Sequence, residues 1–245
     1  MAELNLFDTV KRALYQVWES RAAISLIVVI AGAFKATTAW ISYSVMEPLE
    51  AAILHKIIGL FVYTMLAISV HRLLLNTELP SMRYWRMRET RFLGWLLILY
   101  GCFKLVFMGF GIVFFLISGK PFELFGSSWI VSLVFLLMSM PGAYICARFS
   151  MLLPATALDR KPNFAWTWAL TKAHGFRLMI LLWVIPFVFS FLYSGWQTDT
   201  PLIYLALNLV LSTLTAFEVA LLSVAFMALG GMSLNTPPEV QARPL

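Results

Sequence analysis

The chain has 245 residues, of which 61% are hydrophobic and 12% are charged. Soluble domains are about 45–50% apolar and about 25% charged, so this composition excludes a water-soluble globular protein. A transmembrane helix needs about 20 predominantly apolar residues, and the apolar content is sufficient for six such helices joined by short loops. The formal net charge of +6 does not indicate nucleic-acid binding here, because Lys and Arg collect in the cytoplasmic loops of membrane proteins.

The first predicted element is an amphipathic helix at the N-terminus. Apolar residues recur at helical spacing at Phe7, Val10, Leu14, Val17 and Trp18, with charged and polar residues between them. This pattern is typical of a helix that lies on a membrane surface. We assign residues 1–21 to this interfacial segment.

Apolar stretches then define a predicted six-helix transmembrane domain over residues 22–230. The spans are predicted at residues 22–45, 53–75, 92–117, 129–154, 176–193 and 202–229. Pro141 is expected to kink or break the fourth span, and Pro186 to interrupt the fifth. Gly230 and Gly231 are a natural end for the sixth span. Residues 231–245 contain three prolines and are predicted to form an extended or disordered cytoplasmic tail.

The distribution of basic residues predicts the orientation of the chain. With the N-terminus inside, fourteen of the 18 basic residues fall in inner segments: Lys11, Arg12, Arg21, Arg72, Arg83, Arg86, Arg88, Arg91, Arg148, Arg160, Lys161, Lys172, Arg177 and Arg243. The outer loops hold Lys120, and the other three lysines fall within spans. The positive-inside rule therefore predicts cytoplasmic termini. The expected fold is an all-α polytopic membrane protein with six transmembrane helices and interfacial amphipathic helices.

Three ionisable residues, Lys35, Lys104 and Glu218, fall near the middle of the predicted spans. At a rise of about 1.5 Å per residue, each lies about 16–20 Å from the inner edge, which predicts one intramembrane charge layer. Ionisable groups at this depth cost several kcal/mol unless they are paired or hydrated. Two interpretations remain open. Glu218 pairs with a lysine and fixes helix register, or the layer lines a charged cavity in which Glu218 exchanges a proton.

The sixth span also carries a polar stripe. Tyr204, Asn208, Ser212 and Thr215 align with Glu218 on one helical face. This face is expected to point into the bundle or into a water-filled cavity. Spans one and three carry comparable faces with small residues that permit close helix approach, at Gly32, Lys35, Thr38 and Ser42 and at Gly101, Lys104, Met108 and Gly111.

The loop between the second and third spans is basic and aromatic. It contains Arg83, Arg86, Arg88 and Arg91 together with Tyr84 and Trp85. Such a loop can bind anionic lipid headgroups, each charge contributing about 1 kcal/mol near the surface. The alternative is that the loop only anchors the topology.

The most distinctive stretch of the sequence lies between residues 147 and 178. It contains Arg148, Ser150, Pro154-Ala155, Trp166, Leu170-Thr171, Gly175 and Arg177-Leu178. This stretch resembles a segment of bacterial multi-pass proteins of the YciC-like and glycerophosphoryl diester phosphodiesterase membrane-domain type. The resemblance implies a six-span bacterial inner-membrane protein. It implies no chemistry, because that membrane domain is not the catalytic part of the phosphodiesterase.

The sequence contains no recognisable catalytic, metal or cofactor motif. His55, His71 and His174 form no i, i+4 pair, and the P-loop, zinc-protease and dinucleotide fingerprints are absent. We therefore expect a non-enzymatic accessory, scaffold or assembly protein without a cofactor. Its expected partners are membrane lipids and other membrane subunits or further copies of itself, and not nucleic acid. The alternative is a small transporter or channel with a polar cavity around Glu218.

Overall fold

The computed structural model describes residues 4–45, 47–76, 87–118, 129–186 and 201–231, and these residues contain helices and no strand. The helices are α1 (Leu6–Glu19), α2 (Arg21–Val45), α3 (Pro48–Asn76), α4 (Met87–Ser118), α5 (Trp129–Phe149), α6 (Leu152–Ala157), α7 (Phe164–Thr171), α8 (Gly175–Met179) with a following π-helical turn (Ile180–Val184), and α9 (Pro201–Ala228). The all-α prediction is confirmed for the described part of the chain.

Among the described residues, four segments are long and apolar enough to cross a membrane, namely Arg21–Ile41, Leu49–Leu75, Met87–Val113 and Leu205–Ala228. They correspond to the first, second, third and sixth predicted spans, as expected of a multi-pass membrane protein. α5 ends at Phe149, short of the predicted end at residue 154, and the fifth predicted span is described only as far as Pro186. The count of six spans and the orientation of the termini therefore stay predictions.

α1 is the amphipathic helix that the sequence predicts. The Asn5 side chain caps it by accepting a hydrogen bond from the Phe7 amide at 3.0 Å. Thr9 and Ala13 are buried, and the helix packs against α9 and α2. Its most apolar side chains, Phe7, Leu14 and Trp18, are exposed. Because residues seven and eleven apart share a helical face, these three side chains form one apolar stripe beside the docked face.

α9 is the centre of the helix packing. It contacts α1, α2 and α3, and every residue from Val219 to Phe226 is buried. At the crossing with α2, a Cβ on Gly32 would lie 3.3 Å from Leu209 Cα. Glycine at this position therefore permits the close helix approach that the sequence predicts. Nearer the opposite end of α9, a hydrogen bond of 2.8 Å joins His71 Nδ1 of α3 to Ser223 Oγ.

The prolines of the fourth and fifth predicted spans have different surroundings. α5 continues through Pro141 from Trp129 to Phe149, so of the expected kink or break at this residue the break is wrong. Neighbouring helices can satisfy the backbone groups that a proline releases, and an apolar helix then tolerates it. Ahead of Pro186 the chain forms the π-helical turn Ile180–Val184. The wider turn leaves room for the proline ring and tolerates the loss of the backbone hydrogen bond that proline cannot donate.

α6 is a short helix whose residues, Leu152 to Ala157, are all buried. It packs against α4 and α3. Residues 152–154, expected as the end of the fourth span, therefore begin a separate element. The end of the bundle at which α1, α6 and α7 lie is called the basic end, because Arg72, Arg88 and Arg160 meet there.

Candidate functional site

The candidate site begins with an unusual backbone conformation at the end of α6. Asp159 has φ of 61°, and it is the one described residue other than glycine with a positive φ. Its amide donates to Thr156 O at 3.0 Å, and the Arg160 amide donates to Ala155 O at 3.1 Å. This is a Schellman motif with aspartate in the left-handed position that glycine usually occupies.

α9 ends in the same motif with the usual residue. Gly230 has φ of 79°, and the Gly231 amide donates to Phe226 O at 2.9 Å. The predicted helix end at these glycines is confirmed. Arg160, next to Asp159, donates from Nη1 to Gly231 O. The two helix ends are therefore joined by one guanidinium group.

Three arginines surround the Asp159 carboxylate. Arg88 Nη1 lies 3.0 Å from Oδ2, Arg72 Nη1 lies 3.7 Å from Oδ2, and Arg91 Nη2 lies 3.8 Å from Oδ1. Arg88 also pairs with Glu89, which is buried. We call these five residues the Asp159 cluster. Three guanidinium groups and two carboxylates give it a formal excess of one positive charge.

The cluster ties several elements together. Arg72 lies near the end of α3, Arg88 and Arg91 lie in the first turns of α4, and Asp159 follows α6. A non-glycine residue in the left-handed region costs about 1–3 kcal/mol and persists where its surroundings impose it. The ion pairs with Arg72, Arg88 and Arg91 provide that constraint. Strained residues also concentrate at functional sites, which makes the cluster the first candidate.

Exposure within the cluster is graded. The side chains of Arg88 and Glu89 are 9% and 3% exposed, whereas those of Arg72, Arg91 and Asp159 are 18%, 35% and 56% exposed. Arg88 is therefore an internal partner of the two acids. The outer face of the cluster is formed by Arg72 and Arg91 around the Asp159 carboxylate.

A further arginine, outside the Asp159 cluster, is held by α7. Arg148 is buried, and its Nη2 donates to Trp168 O at 2.6 Å. Its Nε donates to Thr171 Oγ1 at 3.1 Å. The guanidinium carbon lies 3.3 Å from the centroid of the Trp168 ring, a stacking arrangement that suits arginine and not lysine. Arg148 thus attaches α7 to the end of α5.

The residues predicted to contact anionic lipid have different positions. Arg83, Tyr84, Trp85 and Arg86 lie outside the described residues. Arg91 lies on the outer face of the Asp159 cluster. Arg88 was expected to be a lipid ligand, and the structure corrects this: its guanidinium is buried between Glu89 and Asp159.

The structure does not bring the predicted charge layer together. Gly32 of α2 contacts Leu209 of α9, and Lys35 and Glu218 lie on opposite sides of that contact, in helices that run in opposite directions. Along the bundle axis, Lys35 and Glu218 are therefore separated by the rise of twelve helical residues, which is about 18 Å. Lys104 is exposed on α4. The sequence estimate assumed that every span begins at the same depth, but Glu218 lies level with the start of α2.

Each member of the layer has other neighbours. His55 of α3 lies near Lys35 of α2. Tyr63 of α3 is in the same relation to Glu218. The Lys104 amine lies 5.5 Å from the centroid of the Tyr100 ring, one turn earlier on α4. The interpretation in which Glu218 pairs with Lys35 or Lys104 is therefore corrected for the described residues.

The polar stripe of α9 lies partly in the helix interface. Asn208 and Ser212 are buried, and Thr215 and Glu218 are half-buried. The side chain of Tyr204 lies outside the described residues. A Cβ on Gly32 of α2 would lie 3.4 Å from Asn208 O. The part of the stripe around Asn208 is therefore packed against α2. On α4, in contrast, a Cβ on Gly101 or Gly111 would meet nothing within 4 Å, so the comparable face expected there does not enter the described bundle.

Sequence reasoning gave Asp159, Glu89 and Arg72 no part in a site. The available signal was two acids within strongly basic segments, at Glu89 between Arg88 and Arg91 and at Asp159 before Arg160. Among the described residues, no group of three or more His, Cys, Asp or Glu side chains is placed to hold a metal ion. No family model, curated protein or solved structure matches the chain.

Proposed function

We propose that this chain is a non-enzymatic accessory or scaffold protein of the bacterial inner membrane that binds anionic lipid headgroups at its basic end. The observation that carries the proposal is the Asp159 cluster, in which Arg72 and Arg91 retain exposed guanidinium surface. The basic end is the cytoplasmic side in this proposal, as the positive-inside rule predicts. The proposal also follows the resemblance to YciC-like proteins.

Guanidinium chemistry fits a phosphate group. Arginine presents planar donors that match phosphate geometry, and charge-assisted hydrogen bonds of this kind are about twice as strong as neutral ones. A basic residue near an anionic membrane surface contributes about 1 kcal/mol. The Arg91 side chain is 35% exposed, and a guanidinium group carries five N–H donors. The cluster therefore offers donor capacity beyond what Asp159 uses.

α1 supports the membrane placement of this end. Phe7, Leu14 and Trp18 form its exposed apolar stripe, and the Arg21 guanidinium lies 4.9 Å from the Trp18 ring centroid. Aromatic and basic side chains together are typical of the headgroup region. In the proposal, α1 lies at the lipid surface on the same side as the Asp159 cluster.

The packing of α9 favours a scaffold over a transporter. A transporter around Glu218 needs a polar face that opens to water. Asn208 and Ser212 of that face are buried beside α2. A buried helix interface of this kind suits a protein that holds its own helices and other membrane subunits, or further copies of itself, in place.

The test is lipid-dependent stability in nanodiscs. Nanodiscs of phosphatidylcholine alone are compared with nanodiscs that also contain phosphatidylglycerol, and the melting temperature and retained lipid are measured. We expect phosphatidylglycerol to raise the melting temperature of the wild type, and Arg72→Gln with Arg91→Gln to remove most of that increase. Two charges contribute about 2 kcal/mol, which corresponds to about 4–8 °C for a chain of this size.

Two variants control this experiment. Asp159→Asn breaks the ion pairs but keeps both arginines, so it should retain or enlarge the lipid-dependent increase. Lys56→Gln removes an exposed charge far from the basic end and should leave the increase unchanged. An increase that persists in the double arginine variant, or that Lys56→Gln abolishes equally, would overturn headgroup binding at the cluster.

A further inference from the structure

Lys104 is an ionisable group on the outer surface of a membrane-spanning helix. It is exposed, and α4 extends from Met87 to Ser118 around it. At about 1.5 Å per residue, the amine-bearing residue lies about 26 Å from one end of the helix and about 21 Å from the other. A lysine side chain reaches the interface only from near a helix end. Lys104 therefore needs a partner at its own depth.

The surface of α4 around Lys104 is apolar and includes a glycine. Leu105, Met108 and Ile112 are exposed on α4, and a Cβ on Gly101 would meet nothing within 4 Å. Lipid tails are as apolar as leucine, so exposed leucine and isoleucine need no protein partner. Lys104 differs, because neither lipid tails nor the Tyr100 ring supply a counter-charge.

The carboxylate that Lys104 requires is absent from the same depth in the described chain. Phe92 of α4 contacts the His71 ring, and His71 bonds to Ser223 of α9, so these three residues mark one level. Lys104 lies twelve residues beyond that level in the direction away from the basic end, and Glu218 lies five residues beyond it in the same direction. Glu218 therefore lies about 10 Å nearer the basic end. A second copy in the same orientation places its Glu218 at that same mismatched depth.

We infer that α4 is a docking face for a transmembrane helix of a different membrane protein, one that carries Asp or Glu at the depth of Lys104. Leu105, Met108 and Ile112 contact the partner's apolar side chains, and Gly101 lets the backbones approach. The inference rests on the proposed scaffold function and names the chemistry of one subunit that the scaffold binds.

The test uses synthetic host helices in vesicles that contain the purified protein. Each host is a polyleucine helix with Glu, Gln or Leu at its centre and a cysteine one turn away. Met108→Cys places a cysteine on the same face of α4, one turn from Lys104, and it reports docking by forming a disulfide with the host cysteine under mild oxidation. Cys102→Ser and Cys146→Ser remove the two native cysteines, and the second keeps a donor for Leu99 O. The yield is measured against host concentration.

We expect the Glu host to bind about tenfold more tightly than the Gln or Leu host. Lys104→Met should remove this preference and Lys104→Arg should retain it. Lys35→Met, which alters the half-buried intramembrane lysine of α2, should leave the preference unchanged. Equal binding of all hosts overturns the inference, as does a preference that survives Lys104→Met. Efficient disulfide formation between two copies of the Met108→Cys variant, at a yield that no host lowers, also overturns it, because a second copy then occupies the face.

This result is separable from the lipid experiment. Lys104→Met should leave the phosphatidylglycerol-dependent increase in melting temperature unchanged, and Arg72→Gln with Arg91→Gln should leave the Glu-host preference unchanged. Loss of the host preference with an intact lipid effect overturns only the docking face. Loss of the lipid effect with an intact host preference overturns only headgroup binding.

Discussion

α9 and α4 are similarly long and apolar, yet the described structure surrounds one and leaves the other open. In the most apolar window of α9, 56% of residues are buried inside the protein, whereas the corresponding value for α4 is 6%. α9 touches α1, α2 and α3, and α4 packs mainly on α5 and α6. Two helices of similar hydropathy can therefore have opposite relations to the protein.

The difference lies in how each helix is held. α9 is packed along its length, with a glycine contact at Gly32 and a polar contact at Ser223. α4 is held at its start, where Arg88 and Glu89 join the Asp159 cluster, and on one side farther along, where the Phe103 ring contacts the Trp183 ring. Because lipid tails are as apolar as leucine, the side of α4 that faces away from these contacts does not need to be covered by protein. Hydropathy alone cannot distinguish these cases.

The largest expected effect is on the anchor of α4. Glu89→Leu leaves the buried Arg88 guanidinium without one of its two acids, and we expect a loss of about 3 kcal/mol in the free energy of unfolding. Unfolding is measured by titration with dodecyl sulfate and followed by circular dichroism. Glu50→Leu, at the exposed start of α3, should change it by less than about 0.5 kcal/mol. An equally small change for Glu89→Leu would show that ion pairs do not hold α4.

A matched pair of glycines tests the contrast directly. Gly32→Val introduces a side chain against Leu209 Cα at 3.3 Å, and we expect a loss of about 1–3 kcal/mol from overpacking. Gly101→Val meets open space and should leave stability unchanged or slightly higher, because valine is the better helix former. The same titration measures both variants. Equal losses at the two positions would contradict the difference between α9 and α4.

The smallest effect is expected at the hydrogen bond between α3 and α9. Ser223 Oγ donates to Val219 O at 2.9 Å, so it must accept from His71 Nδ1. Ser223→Ala leaves that buried donor unsatisfied and should cost about 1–2 kcal/mol. The double variant His71→Leu, Ser223→Ala should recover most of the loss, because neither partner then remains. Strictly additive losses in this double-mutant cycle would exclude a direct coupling.

Several features of the fold were predictable because they depend on local chemistry. The period of apolar residues from Phe7 to Trp18 predicts α1, and Gly230 predicts the end of α9, where a left-handed residue is required. Hydropathy predicts the four segments long enough to cross a membrane. In contrast, the expected break at Pro141 ignored the neighbours that allow a helix to continue through a proline.

The candidate site was predictable only in part. The basic segment containing Arg88 and Arg91 is visible in the sequence, and the structure places both residues in the Asp159 cluster. The acid that organises them comes from residue 159, about 70 positions later. A pairing of this kind depends on how α6 packs against α3 and α4. Residue spacing in one segment carries no information about it.

The sequence by itself determined that the chain is helical, apolar and strongly basic in its connecting segments, because composition and periodicity are local properties. Tertiary structure alone decided which charges meet. Helix register separated Lys35 from Glu218 and left Lys104 on an open face, and the packing of α6 brought Asp159 to three arginines. The physical reason is that helix offsets along the bundle are set by side-chain contacts between helices, and these contacts are not encoded in any one helix.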